Sequence, residues 1–174
     1  MTQGTEVLDQ YSGLILLTGV DRPGIAAALF ESLSPFSILI IDVEQLVIAD
    51  RLVLTVLFSL NPAHQKAIEQ DLELCAKENN IDIATLFESR TIQLVKRSLV
   101  EIQISGAKLH PATIAIVSKI LKDFGANIDS ITKKSAGKNT ITLTVSNSTF
   151  NDLNLALTSL SFEDGSVLSI KVCE

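Results

Sequence analysis

One pattern of strand and helix signals runs through this chain twice, and that duplication restricts the possible folds more than any overall composition does. Gly19 ends a first apolar strand and Gly106 ends its counterpart 87 positions later, while Phe36 and Phe124 stand 88 apart, so one inserted residue relates the halves. A repeat this long is a duplicated domain, not a solenoid unit. A chain of 174 residues has room for two such domains, and 47% hydrophobic against 20% charged residues describes packed cores, not disorder.

In the first copy, Gly13 to Val20 is an apolar strand ended by Asp21-Arg22-Pro23-Gly24. A helix is expected there, with Pro near its start and Asp21 accepting hydrogen bonds from the first-turn N–H groups. Ile25, Leu29 and Leu33 recur every four residues as one buried stripe, and Pro35 closes the helix. Ser37 to Ala49 and Leu52 to Leu60 are rich in Ile, Val and Leu, with Asp50-Arg51 as the hairpin turn between them. Asn61-Pro62 caps a second helix with Ile68, Leu72, Cys75 and Ala76 on one face and Asn79-Asn80 as its stop. Ile81 to Glu88 is the closing strand. The order strand, helix, strand, strand, helix, strand predicts an α+β, ferredoxin-like βαββαβ unit: an antiparallel sheet with both helices on one face.

The order returns in the second half. Ser98 to Gly106 is a strand, and Pro111 to Phe124 is a helix with Ile114, Val117, Leu121 and Phe124 on one side and Gly125 at its end. Asn127 to Lys134 and Asn139 to Ser146 pair about Gly137, Thr149 to Phe162 is a helix, and Ser166 to Cys173 closes the sheet. The expected organisation is a leader at 1–11, a first domain at 12–91, a linker at 92–96 and a second domain at 97–174.

Several functions are excluded by what the chain lacks. A formal charge of -6 gives no field to attract nucleic acid, and Lys133, Lys134 and Lys138 around Gly137 read as a solvated hairpin tip. Cys75 and Cys173 have no CxxC spacing and no neighbouring His, so they predict buried thiols of a reducing compartment and neither a disulfide nor a metal cage. Apolar runs such as Leu14 to Leu17 and Ile38 to Ile41 are far shorter than the ~18 residues of a membrane span, and the first ten residues do not fit a signal peptide. A cytoplasmic location with no membrane partner is the expectation. His64 and His110 lie in separate halves, the first on an exposed helix face and the second before Pro111, and no nucleophile, base and orienter can be assembled around them. No catalytic residue and no metal ligand is assigned.

The local constellation that carries chemistry is Gly19-Val20-Asp21-Arg22-Pro23-Gly24. It serves as a strand-to-helix turn, and the same physics suits a ligand. Glycines allow approach to the backbone, free N–H groups attract a carboxylate, and Asp21 is a counterion for an ammonium group. A free amino acid carries both charges within a few ångströms.

The duplicated pattern together with Asp21-Arg22-Pro23-Gly24 resembles a tandem ACT domain, an amino-acid-sensing module. Thr18 to Gly24, Ala28-Leu29-Phe30-Glu31, Val43-Glu44-Gln45 and Arg51-Leu52 are similar to the N-terminal regulatory region of ACT-containing phosphoserine phosphatases. That resemblance covers roughly residues 12 to 174 and is specific in the first repeat, diffuse in the second. It implies a ferredoxin-like fold, L-serine as ligand, and a haloacid-dehalogenase-like catalytic domain opening with DxDxT beyond this chain. Asp82 to Thr85 reads DIAT, so the chain itself is expected to be non-catalytic; no cofactor is expected in it, and Mg2+ belongs only to the absent phosphatase domain.

In the related ACT domain of phosphoglycerate dehydrogenase the ligand loop reads HxNRPG and a partner supplies the Asn of a GxN segment. By that resemblance Gly19 stands at the His and Asp21 at the Asn, while Gly125-Ala126-Asn127 keeps the GxN that the first repeat replaces with Ser37-Ile38-Leu39. The implied ligand residues are Gly19, Asp21, Arg22, Pro23, Gly24, Asn127 and Asp129; Lys108 to Pro111 with Leu39 form a mirror site without acid or amide. The alternative is a free-standing tandem ACT regulator acting through protein contacts, like a glycine-cleavage-system repressor. Either way, open sheet edges and a mean hydropathy of +0.36 predict a homodimer or larger assembly through side-by-side sheets.

Overall fold

The computed structural model describes residues 7–93, 98–134 and 139–173, and over them the duplication becomes one topology built twice. The first copy runs β1 (Val7–Val20), α1 (Ile25–Leu33), β2 (Leu39–Ile48), β3 (Arg51–Ser59), a 3-10 turn at Pro62–His64, α2 (Gln65–Asn79) and β4 (Asp82–Gln93). The second runs β5 (Val100–Gly106), α3 (Pro111–Asp123), β6 (Asn127–Lys134), β7 (Asn139–Ser146), α4 (Phe150–Leu157) and β8 (Val167–Val172). Strand order is β2-β3-β1-β4 in one sheet and β6-β7-β5-β8 in the other. The tandem ferredoxin-like expectation holds. The chain divides into two compact units, Met1–Leu94 and Val95–Glu174.

The cores follow from periodicity. Along β3, Leu52, Leu54, Val56 and Phe58 are buried while the residues between them are half-buried, the alternation that a two-residue repeat enforces. Ile25, Leu29 and Leu33 of α1 and Ile68, Leu72 and Cys75 of α2 join Ile15 and Leu17 in one cluster, which puts both helices on one sheet face. In the second unit Ile102, Ile104, Leu143 and Val145 meet Val117, Leu121, Leu153 and Leu157 in the same way. Each such side chain, fully buried, stabilises its unit by about 1.5–3 kcal/mol relative to exposure. Both sheets carry a β-bulge at the matching place, between Ile40 and Asp42 and between Ile128 and Ser130.

Several local expectations need correction. The hairpin turn is Ala49-Asp50, because Arg51 already pairs with Ile48; Ala49 takes the positive φ of 58° that the tight reversal requires. Gly24, not Asp21, is the N-cap of α1. Phe124 is 48% exposed, and Thr113 takes a buried place on α3 instead. The helix expected over Thr149 to Phe162 ends at Leu157, although Leu160 and Phe162 still pack against the core. Cys75 is buried as expected, whereas Cys173 is only half-buried. β1 begins at Val7, within the stretch read as leader, and β4 reaches Gln93, within the stretch read as linker. Gly137 and Lys138 of the expected hairpin tip lie outside the described residues.

Candidate functional site

The loop between β1 and α1 is pinned at both ends and open between them. Val20 pairs with Arg51, and the Asp21 N–H donates to the Asp50 carbonyl at 2.8 Å, which fastens the loop to the β2–β3 turn. The Arg22 guanidinium donates to the Asn79 carbonyl oxygen, at the C-terminal end of α2 where helix carbonyls lack intrahelical donors. Asp21, Arg22, Pro23 and Gly24 are all exposed. Gly24 has φ 97°, a left-handed conformation that strains any L side chain, and a Cβ there would meet nothing within 4 Å. Its carbonyl accepts the first helical bond from the Ala28 N–H at 2.9 Å, so the preceding N–H groups have no intrahelical acceptor. No acidic residue occupies the first turn of α1.

Gly19 stands apart from this group. It is buried, and a Cβ at that position would lie 2.7 Å from Ile81 Cγ2, so its missing side chain makes room for Ile81. A cleft of about 810 Å³, which the sequence did not reveal, opens beside it between the end of β1, the C-terminal half of α2 and the start of β4. Arg51 and Lys77 line it together with Glu69, Glu73 and Asp82; Asp21 to Gly24 do not.

Asn127 and Asp129 are brought together on the second unit. Asp129 sits at the bulge of β6, where Asn127 Nδ2 donates to its Oδ1 at 2.6 Å and the Ser146 hydroxyl donates to the same oxygen at 2.9 Å. Asn127 is thereby held by its amide nitrogen, leaving its carbonyl oxygen and Asp129 Oδ2 as acceptors. Ser146 is fully buried and was not foreseen; only the pairing of Asn127 with Ser146 across the sheet reveals it.

The corresponding loop of the second unit is fastened by other means. Asn139 Nδ2 donates to the Ala107 carbonyl at 3.2 Å, and the Thr113 hydroxyl in the first turn of α3 donates to Asp164 Oδ2 at 2.8 Å. The Ser166 backbone N–H, donating at 2.9 Å, and then Thr113 hold the Asp164 carboxyl below its ordinary range. The Asp164 contact to the first turn of α3 is not legible in the sequence, because Thr113 lies 51 positions away.

His64 departs from expectation. It ends the 3-10 turn rather than sitting on an exposed helix face, its ring lies 6.0 Å from that of Phe36, and its Nδ1 is buried without a hydrogen-bond partner among the described residues. His110 is exposed at the N-cap of α3. Among the described residues no group of three or more His, Cys, Asp or Glu could hold a metal ion, and no helix is long and apolar enough to cross a membrane.

Comparison with known proteins gives this geometry a setting. Residues 13–85 match the family model of the ACT domain. Phosphoserine phosphatase SerB2 of Mycobacterium tuberculosis is 32% identical over 123 residues, 69% of this chain and 30% of that protein; a phosphoserine phosphatase of Streptomyces coelicolor is 32% identical over 124 residues, covering 68% and 29%. The chain thus spans about 30% of the length of these curated relatives. Among solved structures, a proposed glycine cleavage system transcriptional repressor superposes with a TM-score of 0.75 at 15% identity, over 95% of this chain and 98% of its own. An unknown protein from Galdieria sulphuraria gives 0.73 at 20% identity, over 95% and 100%. These two likenesses establish the fold.

Proposed function

We propose, from the premise that residues 13–85 belong to the ACT domain family, that this chain is the amino-acid-binding regulatory part of a phosphoserine phosphatase in serine biosynthesis, with L-serine as its ligand. The observation that carries the reading is the exposed Asp21 to Gly24 loop, held rigid by Asp50 and Asn79 with open space above Gly24. Backbone N–H groups at the start of α1 take the serine carboxylate and Asp21 takes the ammonium group. Asn127 and Asp129 supply further polar contacts, and the loop at Lys108 to Pro111 binds weakly or not at all. The working form is a cytoplasmic homodimer or larger, in which the apolar edge strand β2 pairs with its copy.

Calorimetric titration with a panel of amino acids tests this. L-serine is expected to give saturable heat that Asp21→Ala abolishes or weakens. No heat from any small amino acid sinks the reading and leaves the loop as a strand-to-helix turn. A second reading, a regulator that acts through protein contacts, has one observation in its favour: Leu39, Ile40 and Ile48 of β2 are each more than half exposed.

A further inference from the structure

We propose that the cleft between α2 and β4 is a second ligand site, built for an α-amino acid whose side chain carries its own positive charge, such as lysine or arginine. The cleft has a volume of about 810 Å³, and Asp21 to Gly24 take no part in its lining, so it is separate from the loop read as the serine site and does not rest on that reading. Charged groups of both signs face its interior: Arg51 from β3, Glu69, Glu73 and Lys77 from α2, and Asp82 from β4. Glu73 and Lys77 stand at the i, i+4 spacing at which helices pair opposite charges. Here they do not close on one another. Among the described residues the side chains of Arg51, Glu73, Lys77 and Asp82 form no ion pair and no hydrogen bond.

The count and order of these charges select the ligand. Three carboxylates against two cations leave the cleft one unit negative, which a molecule with two cationic groups and one carboxylate balances. Along α2 a rise of about 1.5 Å per residue sets Glu69, Glu73 and Lys77 in one row, about 6 Å from each to the next. A neutral amino acid holds its ammonium and carboxylate within a few ångströms and reaches only one end of that row. In a longer ligand the carboxylate goes to Arg51 and Lys77, the α-ammonium group to Asp82, and the side chain carries its cation one turn back along α2 to Glu73 and Glu69. Ala76 and Ile83, both half-buried, give the methylenes an apolar wall. Glu69 is already held in place, since Gln65 Nε2 donates to its Oε1 at 2.9 Å.

The mixed signs separate this ligand from simpler ones. A dicarboxylic or phosphorylated amino acid adds negative charge to a cleft that is already negative. A diamine satisfies the acids but leaves Arg51 and Lys77 facing its methylenes, and a neutral amino acid leaves Glu73 without a partner. An amino acid with a cationic side chain answers both signs.

Calorimetric titration of the whole chain with L-lysine and L-arginine, to about 10 mM, tests the inference. Cadaverine serves as the lysine analogue without a carboxylate and L-norleucine as the one without a side-chain ammonium group. Saturable heat is expected from one or both basic amino acids, weakened about fivefold or more in Glu73→Gln and in Lys77→Gln. Glu78→Gln, on α2 but outside the cleft, should leave it unchanged, and cadaverine and L-norleucine should bind about fivefold more weakly or worse. All three substituted side chains are exposed, so the variants keep the fold, and thermal melts confirm it. No saturable heat from either basic amino acid overturns the proposal. So does heat that either Glu73→Gln or Lys77→Gln leaves intact, which would seat the ligand elsewhere, or heat matched by cadaverine or L-norleucine, which would make one end of the cleft irrelevant. L-serine titrated into the same variants reads the loop separately: its heat survives both substitutions if Asp21 to Gly24 hold it, whatever the outcome for the cleft.

Discussion

The two sheets share topology, bulge position and helix layer, yet they fill one cross-strand rung in opposite ways. In the first unit Gly13 faces Phe58; at the matching rung of the second, Val100 faces Val145. A Cβ on Gly13 would lie 2.6 Å from Phe58 and 2.8 Å from Phe87, whose rings meet edge to face, so the glycine exists to admit the aromatic. Two valines fill the same place with comparable bulk. The outward faces and the strand-to-helix loops differ more freely, one unit apolar with an acidic loop and the other polar with a loop tied down by side chains. The inner faces had to conserve volume, because protein interiors are close-packed, whereas the outer surfaces were free to specialise.

The strongest way to break this comparison is at the rung itself. Phe58→Ala should cost the first unit about 3–5 kcal/mol through the cavity it leaves, while Val145→Ala should cost the second unit roughly 2 kcal/mol. Gly13→Val should destabilise by about 1–3 kcal/mol through overpacking, and Gly13→Val with Phe58→Val, which copies the second unit's rung, should recover part of that loss. Urea denaturation of these four variants and of Phe58→Val alone measures it. Strict additivity in the double variant would mean the two positions do not share one space.

The loops give a smaller effect. Losing a charged hydrogen-bond partner costs about 1.5–3 kcal/mol, so Asp21→Ala should weaken serine binding roughly ten- to a hundredfold, while Lys108→Ala on the equivalent loop should change it little. Equal losses from both variants in calorimetry would erase the distinction between the loops.

The smallest expected difference is in acid. Asp164 titrates below its ordinary value of 3.8 in the folded chain, chiefly because the Ser166 N–H stabilises its ionised form. That contribution is fully present above the unfolded value and is lost as pH falls through the lower folded value. In the first unit the loop is held instead by the Arg22 guanidinium on the Asn79 carbonyl. Thermal melts from neutral pH down to about 2.5 should show wild type losing more stability than Asp164→Asn; parallel curves would remove Asp164 from the account.

Much of this was legible in the chain. The strands Asn127–Lys134 and Asn139–Ser146 stand where alternation about Gly137 puts them, and the Ile25, Leu29, Leu33 stripe is buried as its spacing requires. Leu160 and Phe162 show the limit of periodicity: they pack on the core without being helical, and an apolar spacing alone does not distinguish the two states. Asp21 was the natural cap by its side chain, but the chain enters α1 through a left-handed Gly24, which only glycine adopts without strain.

By itself the sequence determined the duplication, the order of elements and most of the two cores, since these depend on signals repeated within a few residues along the chain. Only the tertiary structure decided that Gly19 makes room for Ile81, that Arg22 caps α2, that Ser146 holds Asp129, and that Leu14, Leu57 and Leu86 form one row on an open face. Each of those contacts joins residues far apart in sequence, and its partner is chosen by strand register and helix docking, which no local pattern specifies.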